Sequence, residues 1–160
     1  MRLRYNGLMK YIVTGGCGFI GSNYVRGLLS GSWGSNVEQV TVVDSLTYAG
    51  NIKNLEPVSA DPRLTFVRED IVDCESMTST FAGHDIVVHF AAESHVDRSI
   101  QGSAEFIRTN VLGTQSVLQA SRESGISQFL HVSTDEVYGS ILEGSWSEAE
   151  PLLPNSPYAA

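Results

Sequence analysis

The stretch "VTGGCGFIGS" (13–22) decides the fold. Gly16, Gly18 and Gly21 satisfy the spacing G-x-G-x-x-G, and Gly15 adds a fourth glycine ahead of it. The run before it, "KYIVT" (10–14), reads as a strand, and the run after it, "FIGSNYVRGLLS" (19–30), reads as a helix. Glycines between a strand and a helix allow a tight turn, close backbone approach to a pyrophosphate, and close packing of helix on strand. The phosphates then sit over the N–H groups that open the helix. A Gly-rich turn with a purely structural purpose is the competing reading. The motif alone is weak, and it gains weight from its strand, its helix and an acid downstream.

That acid is Asp44, which ends "QVTVVD" (39–44). A carboxylate there accepts hydrogen bonds from the ribose hydroxyls of adenosine and repels the 2′-phosphate of NADP. No arginine follows it in "DSLTYAGN" (44–51), so NAD is the expected cofactor. An ordinary aspartate closing a strand is the alternative. Further apolar runs recur at "RLTFV" (63–67), "DIVVHFAA" (85–92) and "QFLHVST" (128–134). Runs this short, Val-, Ile- and Phe-rich and nearly free of charge, read as parallel strands buried on both faces. Helical stretches lie between them: a weak candidate at "SMTSTFA" (76–82), and a strong one over 103–125, where Ile107, Val111 and Leu118 share a face and Gly125 offers a C-cap. The alternation predicts an α/β, doubly wound parallel sheet, a Rossmann-like NAD-binding domain.

After the third strand, "VREDIVD" (67–73) offers Asp70 for a hydrogen bond to adenine and Ile71 for apolar contact, although it also reads as a plain strand-to-loop transition. The fifth run continues into "FLHVSTDEVYGS" (129–140), which predicts Ser133, Thr134, Asp135 and Glu136 at the carboxyl end of a central strand. Open α/β sheets bind ligands at that edge. Two adjacent carboxyls can divide into one acid and one base at a single pH. An exposed acidic turn is the other reading.

The 160 residues carry 10 Lys and Arg against 18 Asp and Glu, a net charge of −8, which disfavours binding to nucleic acid through its phosphates. No stretch approaches the ~20 apolar residues of a membrane-spanning helix. Cys17 and Cys74 form no CxxC and read as free thiols in a reducing, cytoplasmic setting. The histidines have no metal-ligand spacing, and His89 and His131 read as satisfied strand residues. Residues 1–8 read as a short extension ahead of a domain over 9–160.

The chain closes on "PNSPYAA" (154–160), where Ser156 suits an N-cap and Pro157 a first helical turn. Tyr158 would then open a helix. A tyrosine serving as a base needs a nearby cation, because its free pKa is ~10. A lysine one turn on, at position 162, would face it.

Taken together, TGGxGFIG, Asp44, "HFAAESHVDRSI" (89–100), "TNVLGT" (109–114), "STDEVYG" (133–139) and "SPYAA" (156–160) resemble the extended short-chain dehydrogenase/reductase family. Within it, the adjacent Asp–Glu pair looks like that of the sugar-nucleotide dehydratases rather than the 4-epimerases. The resemblance implies an NAD site lined by Gly15, Gly18, Phe19, Ile20, Gly21, Asp44, Ser45, Leu46, Thr47, Asp70, Ile71, Phe90, Ala91, Ala92, Glu93, Ser94, Thr109 and Tyr158. It implies a nucleotide-sugar substrate, dTDP-glucose ahead of UDP- or GDP-sugars, touched by Ser94 and Thr134. Tyr158 would take the 4-hydroxyl proton, Thr134 would hold the C4 oxygen, Glu136 would remove the C5 proton and Asp135 would protonate the departing 6-hydroxyl. It also implies a homodimer pairing the 103–125 helix. The family's Tyr-x-x-x-Lys and its C-terminal substrate domain are expected to be cut off here, leaving these residues inactive alone. Another extended short-chain enzyme, or a non-catalytic NAD-binding module, stands as the alternative.

Overall fold

The computed structural model describes residues 7–33 and 36–160, so most of the expected 1–8 extension falls outside the described residues. Five strands form: β1 (Met9–Thr14), β2 (Val37–Val43), β3 (Leu64–Val67), β4 (Ile86–His89) and β5 (Gln128–His131). They lie in the order β3-β2-β1-β4-β5, every pair parallel. The order reverses direction at β1, whose Thr14 pairs with His89 of β4. The carboxyl ends of those two strands therefore form the switch point at which open α/β sheets take their ligands.

Successive residues of a strand face opposite sides of a sheet. Val13 joins Val25, Leu28, Val40 and Val42 under α1 (Phe19–Leu29). Its neighbour Ile12 joins Val43, Met77, Phe81, Val87, Val117 and Ala120, under α2 (Cys74–Phe81) and α5 (Thr114–Glu123). Helices on both faces make the sheet doubly wound, as the sequence predicts. The Ser/Thr-rich α2 holds because Asp73 caps it, accepting from the Ser76 N–H at 3.0 Å, and because Met77 and Phe81, four apart, are both buried. Gly125 ends α5 at φ +73°, with the Gly125 and Ile126 N–H groups returning to the Arg122 and Ser121 carbonyls in a Schellman closure.

Three expectations need correction. The 103–125 stretch is not one α-helix: it runs as α4 (Ala104–Phe106), a π-helical turn (Ile107–Gly113) and α5, preceded by the short α3 (Val96–Gln101). Gly113, the last residue of that turn, packs so closely on the segment before α2 that a Cβ there would stand 2.6 Å from Cδ1 of Ile71. The shared face of Ile107, Val111 and Leu118 points outward, while Phe106, Val117 and Ala120 fill the core. Secondly, β5 is an edge strand of the described sheet, not a central one, and is buried on neither face at Leu130, which is 52 % exposed. Thirdly, His131 is therefore exposed on that edge, stacked 5.3 Å from His89.

His89 itself is buried and satisfied, as expected, with Nδ1 2.6 Å from Thr14 Oγ1 and Nε2 3.1 Å from Thr114 Oγ1. Burial first, and the neighbouring His131 second, push its pKa down to about 4. The unfolded chain, with His near 6.5, takes up a proton that the folded chain refuses. This group's stabilisation is thus complete above pH ~6.5 and is lost as pH falls from there toward 4. Stability should drop by about 2–3 kcal/mol between pH 7.5 and 4.5 from this residue. Urea melts of the protein and of His89→Gln at both pH values check it. An equal pH dependence in the two proteins rules the assignment out.

Candidate functional site

The glycine turn leaves β1 with Gly15 at φ +68°. A side chain there would strike the backbone of Ala91 and Phe90, at 2.6–2.8 Å. The turn therefore lies directly on the chain leaving β4. Gly21 is packed the same way, under the Gly15 carbonyl. Gly18 is the N-cap of α1, and no side chain caps that helix. The first N–H groups of an eleven-residue helix face the cleft mouth without a side-chain acceptor, which suits an anion.

Asp44, 8 % exposed, stands on the other side of the turn. Its Oδ2 accepts from the Cys17 N–H at 2.9 Å, and its Oδ1 from the Leu46 N–H at 2.8 Å. The carboxylate thereby ties the glycine turn to the loop after β2, where Leu46 holds a left-handed φ of 56°. Burial first, then the Asp44 charge, push the Cys17 thiol up to about 12, so it stays protonated and inert.

A cleft of roughly 140 Å³ opens between these elements. Gly15, Gly18, Asp44, Ser45, Thr47, Asp70, Ile71, Phe90, Ala91, Ala92, Glu93 and Thr109 line it, all of them residues singled out from the sequence. Phe19 and Ile20 do not: they sit 90 % and 62 % exposed on the first turn of α1. Leu46 and Ser94 lie on the flanking loops, outside the lining.

The sequence reading missed Glu69, Ala49, Gly50, Glu105 and Arg108. Arg108 matters most. The loop that follows Asp44 carries no arginine, yet the π-helical turn brings one into the same cleft. It is engaged there, donating to Asp70 Oδ2 at 2.8 Å. Asn110, also missed, holds the loop after β4 by two bonds, accepting from the Glu93 N–H at 2.8 Å and donating to the Glu93 carbonyl at 2.9 Å. The asparagine in "TNVLGT" was the available signal, since a side-chain amide can mimic a strand's pairing groups.

A second cavity adjoins the first. Ala91 and Ala92 line both, and beyond them lie Asn110, Thr114, Ser133, Thr134, Tyr158 and Ala159. Thr134 caps the 3₁₀ turn Asp135–Tyr138, accepting from the Glu136 N–H at 3.2 Å. Its hydroxyl also reaches Asp135 Oδ1 at 3.4 Å. The structure thus brings Thr134 and Tyr158 to one cavity and keeps Asp135 and Glu136 on the turn beside it, outside its lining. Ser156 acts as the N-cap that "PNSPYAA" predicts: its Oγ accepts from the Ala159 N–H at 3.1 Å, and its carbonyl from the Ala160 N–H. Among the described residues no three His, Cys, Asp or Glu could hold a metal ion, and no helix is long and apolar enough to cross a membrane.

A parallel sheet in this order, with an uncapped helix over a glycine turn and an acid closing the next strand, defines a dinucleotide-binding protein of the doubly wound class. The chain belongs to the family described as GDP-mannose 4,6 dehydratase, which matches residues 12–160, within the extended short-chain dehydrogenases/reductases. It is 57 % identical over 154 residues to the dTDP-glucose 4,6-dehydratase of Actinoplanes sp., covering 95 % of this chain and 48 % of that protein. Among solved structures it resembles DesIV, the dTDP-glucose 4,6-dehydratase of Streptomyces venezuelae with NAD and TYD bound. That match has a TM-score of 0.92 and 58 % identity, over 94 % of this chain and 47 % of that one. The UDP-Glc/GlcNAc 4-epimerase of Campylobacter jejuni shares the fold at a TM-score of 0.85 with 29 % identity, over 94 % of this chain and 45 % of that one. The chain thus spans about half the length of the relatives it matches.

Proposed function

We propose that residues 9–160 form the dinucleotide-binding domain of an NAD-dependent dTDP-glucose 4,6-dehydratase, which converts dTDP-glucose to dTDP-4-keto-6-deoxyglucose and water. One observation carries the reading: Ala91 and Ala92 wall both the nucleotide cleft and the cavity of Thr134 and Tyr158, so a sugar in the second lies beside a dinucleotide in the first. The identity to dTDP-glucose 4,6-dehydratases supports the substrate. Because those relatives are about twice as long, the sugar's nucleotide is assigned to segments outside these 160 residues.

In this reading the N–H groups at Phe19, Ile20 and Gly21 take the pyrophosphate, while the Gly18 N–H, which donates to the Gly15 carbonyl at 3.1 Å, closes the turn beneath it. Asp44 through Thr47 take the ribose, and Asp70 and Ile71 the adenine. Phe90 through Ser94, Thr109 and Tyr158 hold the remainder. NAD bound there would supply the hydride chemistry of the reaction, oxidation at C4 and reduction at C6. Tyr158 takes the proton of the 4-hydroxyl, and Thr134 holds the C4 oxygen while Ser94 steadies the sugar. Glu136 takes the C5 proton, acidified by the 4-ketone, and gives a proton back to C5 when C6 is reduced. Asp135 gives its proton to the 6-hydroxyl as the C6–O bond breaks and water leaves. The outward stripe of Ile107, Val111 and Leu118 is assigned to pairing with a second copy, and the free thiols to a cytoplasmic setting.

The full natural chain, loaded with NAD and given dTDP-glucose, is expected to form the 4-keto-6-deoxy sugar. UDP-glucose, GDP-mannose or loading with NADP should not give comparable turnover. A 4-epimer as product replaces dehydratase with epimerase, preference for GDP-mannose replaces the nucleotide, and equal turnover with NADP removes the role of Asp44.

A further inference from the structure

The loop after β2, with Ser45, Thr47, Ala49 and Gly50, forms one wall of the nucleotide cleft, and the loop after β4, with Phe90 through Glu93, forms another. At its base the first loop is fixed to the glycine turn, by the Leu46 N–H on Asp44 and by the Asn51 N–H and Asn54 side chain on the Cys17 carbonyl. Its apex is not fixed that way. There Tyr48, 48 % exposed, turns its ring toward the opposite wall. Arg98, on α3 just beyond the second loop, places its guanidinium carbon 4.3 Å from the ring centroid, and the His95 ring lies 5.6 Å away. A guanidinium over a tyrosine face is attracted by the ring's quadrupole, and the attraction survives partial exposure. The pair therefore joins two walls that no strand pairing connects at that point.

We infer that Tyr48 and Arg98 form a clasp between the two walls of the cleft, positioning residues that retain the dinucleotide between turnovers. The inference rests on the NAD reading above. A cofactor regenerated in each catalytic cycle gains nothing from rapid exchange, and a clasp built of a cation and a ring opens without breaking the sheet. Its effect falls on release of the dinucleotide rather than on the proton transfers, which belong to the second cavity.

The test measures NAD release from the full natural chain, by stopped-flow displacement with excess labelled NAD. Tyr48→Ala and Arg98→Gln should each release NAD about 3- to 30-fold faster. Tyr48→Phe, which keeps the ring face, should stay within about twofold of wild type. Tyr48→Ala combined with Arg98→Gln should release no faster than the faster single variant, because each removes the same contact. Circular dichroism melts identify a variant that has lost its fold, and Tyr48→Phe then carries the comparison with Arg98→Gln. Wild-type release from Tyr48→Ala and Arg98→Gln, or fully additive effects in the double variant, overturns the clasp while leaving the NAD reading intact. A wild-type protein that holds no NAD overturns the cofactor reading, and the clasp with it.

Discussion

Glu136→Gln in the full natural chain is expected to lower dehydration by about 10²–10⁴-fold while leaving the fold and NAD binding unchanged, the usual contribution of a general acid–base group. The change keeps the shape of the side chain and removes its ability to take a proton. It should cost little stability, because the structural duty at this position belongs to the Glu136 backbone, whose N–H donates to Thr134 Oγ1. Among the described residues the Glu136 carboxylate makes no hydrogen bond or ion pair, and Asp135 has only the long contact from Thr134. Two neighbouring carboxylates with so little local employment are more than a turn requires. Asp135→Asn should slow the reaction as well, but at a different step. Exchange of the sugar C5 hydrogen with solvent deuterium separates the two: it should fail in Glu136→Gln and persist in Asp135→Asn. Undiminished exchange in Glu136→Gln would assign the base elsewhere.

The parts of this molecule that could be read from its sequence are those whose burial leaves a mark on residue type. Parallel strands covered on both faces must be apolar at consecutive positions, so β1, β2 and β4 appear as short runs rich in Val and Ile. The same rule misleads at β5, where "QFLHVST" is just as apolar yet Leu130 and His131 are exposed at the edge of the described sheet. Apolar composition records a tendency to be covered and does not say by what. Short polar elements leave no such mark: α3, "VDRSIQ", and the 3₁₀ helix Ile52–Val58 hold no sustained period and were not foreseen. In the cleft, most residues read from the ends of β1 to β4 line the wall, because topology alone carries strand ends to a shared edge, while Leu46 and Ser94 stand on the flanking loops. Arg108 and Glu105 reach it, and Asn110 reaches the adjoining cavity, from a stretch that the sequence reading took as one regular helix. Arg108 and Asn110 lie in the π-helical turn, which no periodicity announces. Phe19 and Ile20 show the converse. The motif places their backbone on the first turn of α1, while their side chains are exposed to solvent.

Gly15→Val is expected to abolish measurable NAD binding and to lower the thermal midpoint by roughly 5–15 °C. Two costs combine. The left-handed φ of +68° is free for glycine and strained for any residue with a branched Cβ. The new carbon would also meet Ala91 N, Ala91 Cα and the Phe90 carbonyl carbon within 2.6–2.8 Å, all backbone atoms that no rotamer change can move. Strain at a forced backbone conformation and overpacking each cost about 1–3 kcal/mol, so the pair amounts to about 2–6 kcal/mol. Relief requires the glycine turn and the chain after β4 to separate. That separation shifts Ala91 and Ala92, the wall shared by both cavities, so binding should be lost even where the sheet survives. Gly83→Val provides the control. Gly83 also has a positive φ, +74°, but nothing lies within 4 Å of its would-be Cβ, so it bears the strain without the collision and lies away from the cleft lining. It should lower the midpoint by a smaller amount and leave NAD affinity at the wild-type value. Calorimetric melts and NAD titrations of both variants decide the matter. Equal loss of midpoint in the two would mean that backbone strain alone governs Gly15, and wild-type NAD affinity in Gly15→Val would show that the turn does not need to lie against β4 to hold the dinucleotide.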